Sequence, residues 1–131
     1  MENFQTYVTE ILILIFVLIT FLQSGIDKLM DWKGNTGWLK DHFSKTFLAG
    51  QVPVMVGIIL VIEVITGILA ILGIVQILLY GKVLMGLYAC VLAAFTLLML
   101  LFGQRVAKDY AGAFTLTGYF IVVILGVYIM S

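Results

Sequence analysis

The stretch Val52-Pro-Val-Met-Val-Gly-Ile-Ile-Leu-Val-Ile-Glu63-Val-Ile-Thr-Gly-Ile-Leu-Ala-Ile-Leu-Gly-Ile-Val-Gln-Ile-Leu-Leu79 decides the fold of this chain. It is longer than the roughly 20 apolar residues that a helix needs to cross a bilayer. Glu63 is its only charged residue. Because a carboxylate in hydrocarbon is costly, such a residue is expected to face protein and is a functional candidate by default. The stretch therefore predicts a transmembrane helix over about residues 53–79.

Small residues share the helix face of Glu63. Three and four residues further on are Thr66 and Gly67, and the next positions on that face are Ala70 and Gly73. Membrane helices approach each other closely where such small residues line up. The pattern places Glu63 at a contact between helices. Two interpretations stay open: the acid belongs to a functional site, or it only ties two helices together.

The composition is that of a membrane protein. Of its 131 residues, 63% are hydrophobic and 11% charged, and the mean hydropathy is +1.21. Four apolar blocks predict helices over about residues 5–30, 53–79, 83–102 and 111–130. We therefore expect an all-α integral membrane four-helix bundle, a single transmembrane domain over residues 1–131, with the lipid bilayer as its surroundings. The net charge of zero offers no electrostatic basis for binding nucleic acid.

A short amphipathic helix is predicted between the first two spans, over about residues 37–49. The segment Lys33-Gly-Asn-Thr-Gly37 is typical of a turn, in which Asn35 or Thr36 could cap the helix that follows. The apolar positions of that helix are Trp38, Leu39, Phe43 and Phe47, and the polar ones are Lys40, Asp41 and Lys45. Such a helix lies in the membrane interface, either as an anchor or as a lid over the bundle.

Charge predicts the orientation. One side of the membrane receives Lys28, Lys33, Lys40, Lys45, Arg105 and Lys108, whereas Lys82 stands alone on the other side. The positive-inside rule then places the two charged connections in the cytoplasm and both termini outside.

Polar residues of the four spans are expected to meet at one depth. At about 1.5 Å per residue, Glu63 lies roughly 15 Å below Pro53. The predicted ligand-binding residues are Glu63, Lys28, Gln23, Thr20, Thr96, Tyr88, Thr117 and Tyr119. The predicted mouth of the pocket comprises Arg105, Lys108, Asp109 and Gln104. A group of polar residues at this depth could bind the polar head of a quinone or lipid, or could dock another membrane subunit. A proton path has less support.

The sequence offers no redox or metal centre of its own. Cys90 is the only cysteine, so no internal dithiol can form, and it is interpreted as a small packing residue. His42 is the only histidine, so one chain cannot ligate haem through two histidines, and it is interpreted as an interfacial residue. We expect no metal site, no built-in cofactor and no turnover by the isolated chain.

Several motifs follow one another along nearly the whole chain. They are Gln23-Ser-Gly25-Ile-Asp-Lys28-Leu29, the segment from Trp38 to Leu48, Pro53, Glu63 followed by Gly67 and Gly73, and Gly103-Gln-Arg105 with Lys108-Asp109-Tyr-Ala-Gly112. Their order and spacing resemble the DoxX family of small four-helix membrane proteins. The resemblance implies a bacterial inner-membrane protein linked to thiosulfate:quinone oxidoreductase subunits or to membrane complexes that handle oxidative and thiol stress.

The resemblance extends to single residues. Gly25 and Lys28 match the glycine and lysine at the end of the family's first helix, and Glu63 matches the acid of its second. The wider group includes vitamin K epoxide reductase-like enzymes, sterol-binding proteins and a receptor-assembly chaperone. This chain lacks a dithiol and so differs from the vitamin K epoxide reductase-like enzymes. Family likeness does not fix an activity, but it favours a quinone among the ligands.

The sequence is therefore consistent with two functions. In the first, the chain binds a quinone-like or lipid-like molecule at Glu63 and serves as an accessory subunit of a membrane redox system, with a membrane or peripheral redox protein as its partner. In the second, it is an assembly factor without small-molecule chemistry. A homo-oligomer is compatible with either function.

Overall fold

Helices account for the fold. The structure is a computed structural model that describes residues 2–44, 46, 50 and 52–131, apart from the side chains of Lys28, Asn35 and Val52. These residues contain no strand, and the prediction of an all-α membrane protein is confirmed. Within the described part, the helical stretches long and apolar enough to cross a membrane are Val8–Asp27, Pro53–Tyr80, Leu84–Val106 and Tyr110–Met130.

The first span is not the uniform helix expected over residues 5–30. It consists of α1 (Glu2–Thr6), α2 (Val8–Val17), a π-helical segment (Leu18–Leu22) and α3 (Gln23–Met30). The amide of Asn3 donates a 3.2 Å hydrogen bond to the carbonyl of Leu78 and so fastens α1 to the second span. The wider π turn changes the direction in which the side chains of the first span point.

The short helix between the spans begins earlier than predicted. It is α4 (Trp32–His42), so the prediction of a turn at residues 33–37 is wrong. The physical reason is a cap upstream: Asp31 accepts a 3.2 Å hydrogen bond from the backbone N–H of Gly34. The hydroxyl of Thr36 donates back to the carbonyl of Trp32 at 2.8 Å and does not cap a later helix. The predicted continuation through Lys45, Phe47, Leu48 and Ala49 lies outside the described residues.

Three long helices complete the bundle: α5 (Val52–Tyr80), α6 (Leu84–Val106) and α7 (Tyr110–Met130). The reversal between α5 and α6 needs only three residues, and Gly81 permits it with φ +65°. The third span extends past its predicted end near residue 102 because Gln104 and Arg105 are good helix formers that add a further turn.

The helix α6 occupies the centre, packed against both α5 and α7, while the first span packs mainly on α5. A Cβ on Gly73 would lie 2.8 Å from the Cα of Gly86, so α5 and α6 approach each other almost backbone to backbone. The small positions Ala89, Cys90 and Ala93 of α6 are fully buried. The predicted role of small residues as helix contacts is therefore confirmed.

Candidate functional site

Glu63 lies inside the bundle. Its side chain is 1% exposed, which confirms that it faces protein. A glycine faces it from the first span, since a Cβ on Gly25 would stand 3.9 Å from the Cβ of Glu63 and 3.4 Å from a methyl group of Val64. The absence of a side chain at Gly25 lets α3 approach α5 beside the acid. The acid is thus shielded from hydrocarbon, as a buried ionisable group requires.

A cavity of about 230 Å³ opens next to Glu63. It is lined by Thr20, Phe21, Ser24, Glu63, Leu97, Leu100, Leu116 and Tyr119, which come from all four spans. Its polar groups are two hydroxyls, one carboxyl and one phenol, and its other walls are apolar. Such a lining provides a few hydrogen-bonding groups in a largely apolar space, as binding sites for small molecules do.

The π-helical segment supplies one wall of this cavity. Thr20 and Phe21 belong to it, and Ser24 follows in the first turn of α3. A π turn inserts an extra residue into a helix and commonly lies at functional sites. It rests on α5 at Gly67, where an added Cβ would meet the Cβ of Leu22 at 3.1 Å.

Tyr119 of α7 contributes another wall. Its ring packs against that of Phe16 with the centroids 6.0 Å apart at an angle of 60°. Tyr119 remains partly exposed, and Thr20 and Ser24 are half-buried. The cavity is partly open, and because the more exposed of its polar lining residues belong to the first span and α7, we infer that it opens toward the membrane on that side.

The structure brings together three of the predicted ligand-binding residues, namely Glu63, Thr20 and Tyr119. Three others do not line the cavity. Gln23 and Tyr88 are exposed on the outer faces of their helices. Thr96 is fully buried, but its hydroxyl donates to the carbonyl of Leu92 at 2.8 Å.

Of the remaining two residues, Thr117 does not line the cavity either. The hydroxyl of Thr117 donates to the carbonyl of Ala113 at 3.0 Å, and its side chain lines a separate hollow between α6 and α7 together with Arg105. In a helix, threonine hydroxyls commonly bond to the carbonyl four residues earlier and are then not directed at a ligand. The side chain of Lys28 lies outside the described residues. Its backbone is one turn beyond Gly25 on the same face of α3.

Two of the predicted mouth residues, Gln104 and Asp109, form a cluster with His42, which the sequence indicated only as an interfacial residue. The Nε2 atom of His42 lies 3.1 Å from Oε1 of Gln104 and 3.5 Å from Oδ2 of Asp109. Both oxygens are acceptors, so the imidazole donates from Nε2. The other carboxylate oxygen of Asp109 accepts the backbone N–H of Gly112 at 3.0 Å and caps α7. We call these residues, His42, Gln104 and Asp109, the His42 cluster.

The His42 cluster fastens the end of α4 to the junction of α6 and α7. The ring of Trp38 stacks on His42 at 4.8 Å, and Phe43 meets it edge-on at 5.1 Å. The other two mouth residues face away: Arg105 lies over the ring of Tyr110 at 5.1 Å, and Lys108 is exposed with φ 59°. No sequence signal joins His42 to Gln104, which is 62 positions away, although the spacing of Asp109 and Gly112 is that of an N-terminal cap.

No group of three or more His, Cys, Asp or Glu within the described part of the chain is arranged to hold a metal ion. Cys90 is fully buried, and its sulfur lies 2.7 Å from the position of a Cβ on Gly126 of α7. No protein-family model, no curated protein and no solved structure matches this chain. The function of the Glu63 cavity therefore has to be inferred from its own geometry.

Proposed function

We propose that this chain is a DoxX-like membrane protein that binds the polar head of a quinone-like or lipid-like molecule in the Glu63 cavity. The observation that carries this proposal is a carboxylate that is 1% exposed and lines a cavity built by all four spans. A carboxylate placed there costs free energy, so a role beyond helix packing is favoured.

The chemistry of the lining suits a ring that carries carbonyl or hydroxyl groups. The hydroxyl of Thr20 and the phenol of Tyr119 can each donate and accept a hydrogen bond. Phe21 and the leucine side chains supply flat or apolar surface for the ring. A carbonyl oxygen would accept from the hydroxyls, and a ring hydroxyl would donate to Glu63.

The size of the cavity limits what it holds. Its volume of about 230 Å³ is below the range of roughly 300–1,000 Å³ typical of sites that enclose a whole drug-sized ligand. The cavity therefore suits a head group, while the tail extends through the lateral opening into the lipid. A molecule bound in this way can reach the site without leaving the membrane.

An accessory role follows from the residues available. The chain has one cysteine and one histidine, and Cys90 is buried away from the cavity. Electrons would thus pass between the bound head group and a partner redox protein, and this chain would hold and orient that head group. We assign the chain to the bacterial inner membrane, with the charged connections in the cytoplasm and both termini outside.

Mass spectrometry of co-purifying molecules tests the binding proposal. The protein is extracted in mild detergent as wild type, as Thr20→Phe and as Ile19→Phe. The first substitution puts a ring into the cavity, whereas the second puts the same ring into lipid, because Ile19 is exposed. We expect a quinone or a single lipid class to co-purify with wild type and Ile19→Phe, and to fall at least tenfold in Thr20→Phe. Equal amounts in both variants, or no enriched molecule in wild type, would contradict the proposal.

Cysteine labelling tests the orientation. Ser131→Cys is made in a Cys90→Ala background and exposed to a membrane-impermeant maleimide in intact spheroplasts. Labelling is expected before lysis. Protection until lysis would reverse the assignment without affecting the ligand site.

A further inference from the structure

A second cavity lies beneath the end of α4, between α5 and α6, and its volume is about 200 Å³. Phe43 of the α4 end, Val56 and Ile59 of α5, and Met99 of α6 are among its apolar walls. Gln104 is the one polar side chain among the described residues that line it. The cavity is distinct from the Glu63 cavity, although Leu100 and Leu116 contribute to the walls of both.

This cavity continues into a groove of about 390 Å³ on the outer surface of α5 and α6. Cavity and groove share Met55, Ile59, Met99 and Gly103. The outer part of the groove includes Phe95 and Phe102, which are exposed on a membrane-spanning helix. From Gly103 to Phe95 the groove follows α6 for roughly 12 Å, at about 1.5 Å per residue. An opening of this kind faces hydrocarbon, not water.

The surroundings determine what can occupy such a space. The apolar part of this cavity does not hold water, because water needs polar partners. Left empty, its lining would lose dispersion contacts. The molecules that surround the groove in a membrane are lipids, so a hydrocarbon chain is the occupant whose chemistry matches the walls.

The polar end of the cavity, at Gln104, determines which head group a bound lipid chain can carry. Gln104 accepts from His42 through Oε1, and its amide N–H groups have no acceptor within the part of the chain that the structure describes. They are available to a hydroxyl or carbonyl oxygen. The carboxylate of Asp109 lies 3.5 Å from the same imidazole nitrogen that Gln104 contacts. A second carboxylate close to it would be repelled, so a neutral head is favoured over an anionic one.

We propose that the cavity and groove bind a neutral single-chain amphipath from the membrane. Its hydrocarbon chain lies between α5 and α6, and its hydroxyl or carbonyl head accepts a hydrogen bond from Gln104 beneath α4. This site is separate from the one proposed at Glu63 and does not depend on it.

Photolabelling of the full-length protein in phosphatidylcholine nanodiscs tests the proposal. The probe is a monoacylglycerol with a diazirine in its chain, and labelled peptides are mapped by mass spectrometry. We expect saturable labelling of residues 55–59 and 95–103, competed by unlabelled monoacylglycerol and at least tenfold less well by the fatty acid of the same chain. Labelling that does not saturate, or that is equally strong at the lipid-facing Phe114 of α7, overturns the site. Equal competition by the fatty acid overturns the assignment of a neutral head.

Matched substitutions at Gly103 make the test specific. A Cβ there would meet the ring of Phe43 at 3.5 Å, an ordinary contact, so Gly103→Ala is expected to keep the labelling. Gly103→Leu fills the passage between cavity and groove and is expected to reduce labelling at least tenfold, as is Ile59→Phe if the leucine variant does not fold. Unchanged labelling in the folded variant contradicts the proposal. Glu63→Gln is expected to leave the labelling unchanged, and its loss there would show that the two sites are one.

Discussion

Replacing Gly73 by alanine places a methyl group against the backbone of α6. The new Cβ would lie 2.8 Å from both Cα and N of Gly86, whereas carbon atoms in contact prefer about 3.5–4.0 Å. Neither backbone atom can turn aside as a side chain can. The two helices must therefore separate by roughly 1 Å, and overpacking of this kind typically costs about 1–3 kcal/mol.

Two further substitutions calibrate that value. A Cβ on Gly118 meets nothing within 4 Å, so Gly118→Ala adds the same methyl group without a clash. A Cβ on Gly86 would meet the sulfur of Met130 at 2.9 Å and a methyl group of Leu14 at 3.0 Å. Both are the ends of flexible side chains, so Gly86→Ala should fall between the other two variants.

The assay is reversible unfolding in mixed micelles, followed by far-UV circular dichroism as the denaturing detergent is increased. We expect Gly73→Ala to lose about 1–3 kcal/mol of unfolding free energy and Gly118→Ala to stay within about 0.5 kcal/mol of wild type. Equal stability of these two variants would refute the close approach of α5 and α6, and with it the packing that places Glu63 at the cavity.

Three further predictions concern the ends and the core of the bundle. Asp109→Ala removes the cap on the N–H of Gly112 and should lower the unfolding free energy by about 1 kcal/mol, while Asp109→Asn retains most of it; equal losses would argue against the cap. Cys90 is fully buried, so a small thiol reagent should modify it only after unfolding, and rapid modification of the native protein would contradict its packing role. Gly25→Ala adds a Cβ at ordinary distance, 3.4 Å from Val64, and should change the unfolding free energy by less than about 0.5 kcal/mol; a loss as large as that of Gly73→Ala would show that this contact is tighter.

Much of the fold can be predicted from the hydropathy of the sequence and from the spacing of its small residues. The four spans follow from the lengths of the apolar blocks, since a membrane leaves few alternatives to a helix. The inward direction of Glu63 follows from its position on the face that carries Gly67 and Gly73, because lipid would penalise the acid anywhere else. These features depend on one-dimensional patterns that the sequence displays directly.

Other features depend on local competition that the sequence does not display. The π-helical segment at Leu18–Leu22 has no compositional signature, yet it determines how Thr20 faces the cavity. At α4, Gly34 and Gly37 looked like turn residues, but the cap at Asp31 allows the helix to begin before them. Thr96 and Thr117 were expected at the site, but each hydroxyl bonds to a carbonyl of its own helix. The start of a helix, the position of a π turn and the partner of a hydroxyl each depend on local hydrogen bonds within about one helical turn.

The most direct test of the central claim is the thermal stabilisation of the purified protein by a short-tailed quinone, measured for wild type and Glu63→Gln over a range of ligand concentrations. If the carboxyl of Glu63 accepts a hydrogen bond from the head group, its replacement by the neutral amide oxygen of glutamine should weaken that bond by about 1 kcal/mol and apparent binding by roughly fivefold. Wild type should show saturable stabilisation, and the variant should need correspondingly more quinone. Identical stabilisation curves for the two proteins, across quinones and single-chain lipids alike, would contradict the assignment of Glu63 to a ligand site.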